Sequence, residues 1–125
     1  MTRGFENYSD LIMEQSRMLQ DAQHRRDNPV IAAFEALGDY VKEFEADLDD
    51  DHEIGARLVS FGHSVQIHVQ HISYAEPFLI TFEGVDGGGQ RMRLIQHVSQ
   101  LSFLLVAVRK LEDKPYRIGY IWGKE

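Results

Sequence analysis

The sequence predicts an α+β fold, in which helices pack on one face of an antiparallel sheet of about five strands. Three observations support this fold class. Apolar residues recur every three or four positions up to residue 48, they alternate between residues 54 and 93, and the helical spacing returns over residues 94–110. Strands that follow one another in a run are typical of antiparallel sheets. The predicted order is therefore helix, helix, four strands, helix, strand.

Length and composition predict a single domain. The chain has 125 residues and no cysteine, so it is long enough to bury one core and cannot use disulfides or thiolate metal sites. We expect residues 1–27 to form an N-terminal amphipathic helix and residues 28–125 to form one α+β domain. The sequence has no basic cluster before an apolar run and no apolar stretch of ~18 residues, so we expect a cytoplasmic protein.

The negative charge lies in the helical half of the chain. Residues 1–53 contain 5 basic and 14 acidic side chains, whereas residues 54–125 contain 8 basic and 6 acidic ones. Such a field repels phosphate backbones and anionic lipids, so we expect neither a nucleic-acid partner nor a membrane partner. A basic protein segment is compatible with this charge.

Two amphipathic helices are predicted before the sheet, over about residues 5–24 and 29–48. Asn28 and Pro29 mark the boundary, because asparagine accepts hydrogen bonds from the free amides of a helix start and proline suits the first helical position. The apolar stripe of the second helix contains Val30, Phe34, Leu37, Val41, Phe44 and Leu48.

Four strands are predicted after the second helix. The first covers residues 54–61 and turns through residues 61–64 into the second, at 65–74, whose alternation slips after Val69 as it does at a β-bulge. The third strand follows Pro77 and ends at Val85, and the turn at 86–89 leads into a short fourth strand around residues 91–93.

The helical spacing that returns near residue 94 predicts a third helix over residues 94–110, followed by a last strand over residues 116–122. This helix is apolar nearly all round, so we expect the sheet to cover one side and either the N-terminal helix or a second subunit to cover another. Its apolar stripe contains Leu94, Val98, Leu101, Leu105 and Val108.

Three polar residues on this predicted helix are candidate ligand-binding residues, namely Gln96, His97 and Gln100. A polar group on a buried helix needs a hydrogen-bond partner, and a pocket between the sheet and the 94–110 helix would supply one. The alternative is a His97 packed in the core or in a subunit interface. We assign no catalytic residue, because Ser60 and Ser99 lack the flanking glycines of an exposed nucleophile.

The acidic run after the second helix is a candidate partner-binding surface, formed by Asp49, Asp50, Asp51 and Glu53. A calcium loop beginning at Asp47 would need glycine at position 52 and a carboxylate at position 58, where the chain has His52 and Leu58. Acids are unfavourable at the C-terminal end of a helix, which suggests a basic partner segment nearby. A solvated helix end is the alternative interpretation.

Neither the histidines nor the glycine run predicts a metal or a cofactor. His68 and His71 point to opposite faces of a strand, and His63 lies ~26 Å from His71 along an extended chain. The run 87–89 is followed by neither Lys-Ser nor Lys-Thr, so we interpret it as a hairpin turn and not as a phosphate loop. No metal and no cofactor are therefore expected.

Seven short segments form a recognisable pattern: Asn28-Pro29, Phe44-Glu45, Leu48-Asp49, Glu53-Ile54-Gly55, Ser60-Phe61-Gly62, Leu94–Leu101 and Arg117-Ile118-Gly119. The pattern resembles a family of short bacterial proteins of unknown function, most familiar from alphaproteobacteria, over residues 28–121. This resemblance implies a bacterial, soluble, single-domain protein and brings no activity, substrate or cofactor. In size, charge and element order the chain also resembles chaperones of bacterial secretion systems, a likeness of architecture alone.

These observations predict a non-enzymatic protein-interaction module, adaptor-like or chaperone-like, that acts as a homodimer. The reason is that the predicted apolar helix surface exceeds what one small sheet can cover. The alternative is a small-molecule-binding protein or an enzyme with a pocket around His97.

Overall fold

A computed structural model describes residues 2–58 and 64–118, without the side chains of residues 2–6. Within these residues, two α-helices precede a five-stranded sheet, which confirms the predicted α+β class. The elements are α1 (Thr2–Asp27), α2 (Val30–Ala46), β1 (His52–Leu58), β2 (Val65–Ala75), β3 (Leu79–Val85), β4 (Arg91–His97), a 3-10 turn (Val98–Gln100) and β5 (Leu104–Arg109).

The strands lie in the order β4-β3-β2-β1-β5, and every neighbouring pair is antiparallel. The first four strands form a meander, whereas β5 pairs with β1 at the opposite edge from β4. The predicted slip in the second strand is a β-bulge, because the register between β2 and β3 shifts between Val69 and His71 and leaves Gln70 as the extra residue.

One face of the sheet carries α2 and the hydrophobic core, and we call it the helix face. Its fully buried residues include Ile54, Ile67, Ile80 and Phe82 from the sheet, with Val30 and Val41 from α2. The ring of Phe103, from the connection between β4 and β5, meets Phe82 edge-on at 4.7 Å. We call the opposite side of the sheet the open face, because no helix packs on it within the described residues.

The predicted helix over residues 94–110 is wrong. Residues 91–97 form β4, residues 98–100 form a single 3-10 turn and residues 104–109 form β5. The helical spacing of Leu94, Val98 and Leu101 is coincidental, because short apolar runs rich in β-branched residues fit a strand equally well. Pairing decides between them: β4 is the second arm of a hairpin with β3, and β5 pairs with β1.

The C-terminal segment differs from the predicted last strand. Residues 114–118 are irregular, residues from 119 onward lie outside the described part of the chain, and β5 is the fifth strand instead. Two buried carboxylates hold the segment, since Glu53 accepts the Tyr116 N–H at 2.9 Å and Glu45 accepts the Ile118 N–H at 2.8 Å. Residues 61–63 of the predicted first turn also lie outside the described residues.

Candidate functional site

The most exposed apolar surface in the described structure lies on α1. Every residue from Asn7 to Asp21 is exposed. The helix is tied to the domain near its C-terminal end, where Arg25 donates two hydrogen bonds to Glu35 at 2.7 and 3.0 Å and His24 contacts Glu76 at 2.9 Å. The hydrogen bonds between Arg25 and Glu35 lower the pKa of the Glu35 carboxyl and raise the pKa of the Arg25 guanidinium.

Five of the six large apolar residues described on α1 lie on one side of the helix, and the sixth, Met13, lies on the opposite side. With 3.6 residues per turn, the row at positions 8, 15 and 22 is flanked by positions 11 and 18 on one side and by 12 and 19 on the other. We call this surface the α1 seam; it contains Tyr8, Leu11, Ile12, Gln15, Met18, Leu19 and Ala22. Its five large apolar side chains are between 49% and 71% exposed.

The predicted partner-binding acids do not form one surface. Asp49, Asp50 and Asp51 are exposed in the connection between α2 and β1, whereas Glu53 is buried on the open face of the sheet. Asp49 accepts hydrogen bonds from His52 Nδ1 at 2.7 Å and from the Asp51 N–H at 2.9 Å. The bond from His52 and then that from Asp51 lower the pKa of Asp49 below its ordinary value.

Glu53 forms a buried pair with His68. Its Oε2 lies 2.7 Å from His68 Nδ1, and its Oε1 accepts the Tyr116 N–H. The carboxylate is an acceptor, so Nδ1 carries the proton and Nε2 of a neutral ring is the acceptor. Histidines that act in catalysis or ligand binding often have one ring nitrogen held by a carboxylate, which fixes the tautomer in this way. The same arrangement is also found in pairs with a purely structural role.

A cleft of ≈ 350 Å³ lies next to this pair on the open face. It is lined by Glu53, Gln70 of the bulge, Lys114, Tyr116 and the glycine run at 87–89. The amides of that run do not form a phosphate cradle, because Asp86 accepts the N–H groups of the next residues: its Oδ1 binds Gly88 and Gln90, and its carbonyl binds Gly89. The predicted hairpin turn is therefore confirmed.

The predicted ligand-binding residues at 94–110 are not brought together. Adjacent strand residues point to opposite faces, so Gln96 faces the helix face and His97 the open face. The His97 ring stacks on Phe78 with centroids 4.9 Å apart, and its Nδ1 accepts the Ser99 N–H. Gln100 is exposed. The pocket expected between the sheet and a 94–110 helix does not form, because that helix is absent.

Sequence reasoning missed the Glu53–His68 pair. Glu53 follows three exposed aspartates in the sequence and shares their charge, and the spacing of His68 from His71 excludes a shared metal site without indicating any partner for His68. The available signal was a charged residue next to Ile54 in one strand and a histidine between Ile67 and Val69 in the next. Two polar residues in neighbouring apolar strands are expected to pair, because each needs a partner when buried.

The fold and these sites define a small α+β domain with an exposed N-terminal helix and a buried carboxylate–histidine pair. The chain belongs to DUF6173, a family of unknown function, which it matches over residues 20–121. The predicted resemblance to a family of unknown function is thereby confirmed, whereas a bacterial origin and the likeness to secretion chaperones stay predictions. The matched region contains α2 and the whole sheet, and most of the α1 seam precedes it.

No curated protein and no solved structure matches the chain. Among the described residues, no helix combines the length and the apolar character needed to cross a membrane. In the same residues, no group of three or more histidine, aspartate or glutamate side chains is placed to hold a metal ion.

Proposed function

We propose that the protein is a non-enzymatic protein-interaction module, adaptor-like or chaperone-like, that acts as a homodimer through the α1 seam. The exposure of that seam is the observation that supports this function. A helix without packing partners is only marginally stable in water, because its backbone hydrogen bonds barely offset the entropy of ordering the chain. The apolar side of α1 therefore needs a second surface.

A second copy of α1 suits this surface. The chain carries a net charge of −7, so a self-contact must avoid its acidic side chains. The seam has no charged residue, and Ser9, Ser16 and Gln23 border one of its sides. Asp10 and Arg17 lie on the outer side of the helix, away from the contact.

The oligomeric state tests this function directly. Light scattering coupled to gel filtration, or native mass spectrometry, should give a dimer for the wild type at micromolar concentration. Ile12→Glu combined with Leu19→Glu should give a monomer, because both carboxylates would enter the contact. The matched control is Met13→Glu combined with Gln20→Glu, which adds the same charge on the outer side and should stay dimeric. A monomeric wild type would contradict the proposal.

The acidic residues in the connection between α2 and β1 would be the surface of this dimer that binds a basic protein segment. Asp49, Asp50 and Asp51 lie together on the exposed surface, and basic side chains would be drawn to them. Asp50→Asn with Asp51→Asn should weaken binding of an oligoarginine peptide, measured by fluorescence anisotropy. Asp10→Asn with Asp21→Asn removes the same charge from α1 and should weaken it less. Equal losses would mean that only net charge matters.

The cleft on the open face supports a second candidate function, in which the protein binds a small molecule or acts as an enzyme. The buried Glu53–His68 pair beside the cleft is the observation that favours it. Native mass spectrometry of protein purified from its own host should then detect a reproducible extra mass. Loss of that mass in Gln70→Ala, which lines the cleft, with retention in Gln100→Ala, would support this candidate; a protein without any added mass would oppose it.

A further inference from the structure

The residues of the α1 seam are symmetric about Gln15. The apolar residues of the seam lie three, four and seven positions from Gln15 on both sides: at 12, 11 and 8 before it, and at 18, 19 and 22 after it. A two-fold axis through the middle of an antiparallel helix pair reverses the order of residues, so such a sequence presents the same surface to its own reversed copy.

We infer that the two α1 helices pair antiparallel, with Gln15 facing Gln15 of the partner subunit on the two-fold axis. The inference rests on the proposed homodimer and adds its orientation and register. In this arrangement Leu11 meets Met18 of the partner subunit, and Ile12 meets Leu19 of the partner subunit. The two glutamine side chains can donate to and accept from each other, and a central polar pair of this kind fixes the register of a helix pair.

Side-chain size at the two ends of the seam favours the antiparallel orientation. Antiparallel pairing places Tyr8 opposite Ala22 of the partner subunit, a large residue against a small one. Parallel pairing places Tyr8 against its own copy and Ala22 against its own copy, so that one end is crowded and the other leaves a gap. Apolar contacts form best when volumes are complementary, because overpacking and cavities both cost stability.

The position of the domain on α1 favours the same orientation. Gln15 precedes the end of the helix at Asp27 by a rise of about 18 Å, so antiparallel pairing separates the two domain junctions by about 36 Å. Parallel pairing would place them about 10 Å apart, although each chain carries 5 basic against 14 acidic residues in positions 1–53. Antiparallel helix dipoles also attract each other.

One like-charged pair lies near the two-fold axis in this arrangement. The two Glu14 side chains flank it, at about 100° around the helix from Gln15. Glu14 is exposed, so its carboxylate extends into water at the rim of the contact, where repulsion is screened. The seam itself brings no charges together.

Disulfide trapping tests the orientation, because the orientation determines which introduced cysteines come close together. The chain contains no cysteine of its own that would compete. Gln15→Cys should form a cross-linked dimer on mild oxidation in either orientation, so it reports the homodimer and its register but not the orientation. Ala22→Cys alone should not cross-link in an antiparallel pair, since its two copies are about 21 Å apart along the axis and a disulfide needs Cα atoms within about 7 Å. An equimolar mixture of Tyr8→Cys and Ala22→Cys, one of them carrying a mass tag, should give the mixed dimer.

A spin label at Asn7 provides a second measurement that leaves the seam intact. The two labels should be separated by about 24 Å or more in the antiparallel pair, whereas a parallel pair would bring them to about 10 Å. Cross-linking of Ala22→Cys to itself, or a short label distance, would overturn the orientation and leave the homodimer standing. A dimeric protein in which Gln15→Cys does not cross-link would overturn the register. A protein that is monomeric by native mass spectrometry would instead remove the proposed function itself.

Discussion

Removal of one partner of the Glu53–His68 pair should destabilise the domain strongly. The two side chains are 7% and 6% exposed, and Glu53 Oε2 lies 2.7 Å from His68 Nδ1. His68→Ala would leave this oxygen buried without a donor, while the other oxygen keeps the Tyr116 N–H. A buried carboxylate that loses its partner costs about 3–5 kcal/mol, because its charge is left uncompensated, and this is a large share of the ~5–15 kcal/mol by which a domain is usually stable.

A double-mutant cycle isolates the pair from the volume that each substitution removes. Unfolding free energies of the wild type, Glu53→Ala, His68→Ala and the double variant would be measured by urea denaturation with far-ultraviolet circular dichroism. Equal slopes against urea would show that the same surface unfolds in all four proteins. We expect a coupling energy of about 2 kcal/mol, the value typical of a hydrogen bond to a charged group.

The pair of Asp49 and His52 is a matched control for this cycle. It has the same chemistry and the same 2.7 Å distance, but its side chains are 68% and 35% exposed. Water competes for both groups, so we expect a coupling energy within the measurement error. Similar coupling energies for the two pairs would refute the reasoning, because distance and not burial would then determine the strength of the interaction.

Three further predictions concern packing and pH. Gly84→Ala should cost about 3 kcal/mol of unfolding free energy, because its Cβ would overlap a backbone oxygen of β2, whereas Gly87→Ala meets open space and should be nearly neutral. Phe82→Ala should cost about 4 kcal/mol, since the ring is fully buried; thermal unfolding measures all three variants. Arg25 lowers the pKa of Glu35, so their pair stabilises the folded chain at neutral pH and this contribution disappears as the pH falls through the lowered pKa. The small difference in Tm between the wild type and Glu35→Gln should therefore vanish in acid, and a constant difference would contradict it.

The fold class could be predicted from the sequence because the apolar residues repeat with a helical period in the first part of the chain and alternate in most of the second. Both helices and the bulge after Val69 were predictable from local spacing alone. The structure of residues 94–110 was not, since the spacing of Leu94, Val98 and Leu101 suits a helix while the apolar runs on either side of residues 98–103 suit two strands. Only the long-range partners of that segment, β3 and β1, decide the outcome, and a single sequence does not reveal them.

The candidate sites could be predicted only in part, for a similar reason. The exposure of Asp49, Asp50 and Asp51 follows from their charge and their place after a helix. The burial of Glu53 depends on which face of β1 it occupies, and its contact with His68 depends on the register that pairs Gly55 with His68. A shift of the register by one residue would point His68 to the other face. The pair is therefore a property of the strand alignment and not of any local motif.

The connection between β4 and β5 determines the order in which the sheet can assemble. Residues 98–103 cross the helix face and bring the chain from one edge of the sheet to the other, with Leu101 and Phe103 packed on the core as they pass. The meander of β1 to β4 closes short loops, whereas β5 meets β1 only after a loop of 46 residues, between the paired Arg57 and Leu104, has closed. The amides of β5 should therefore gain protection from hydrogen exchange after those of β3 and β4, which makes the β5 edge the last part of the sheet to become native.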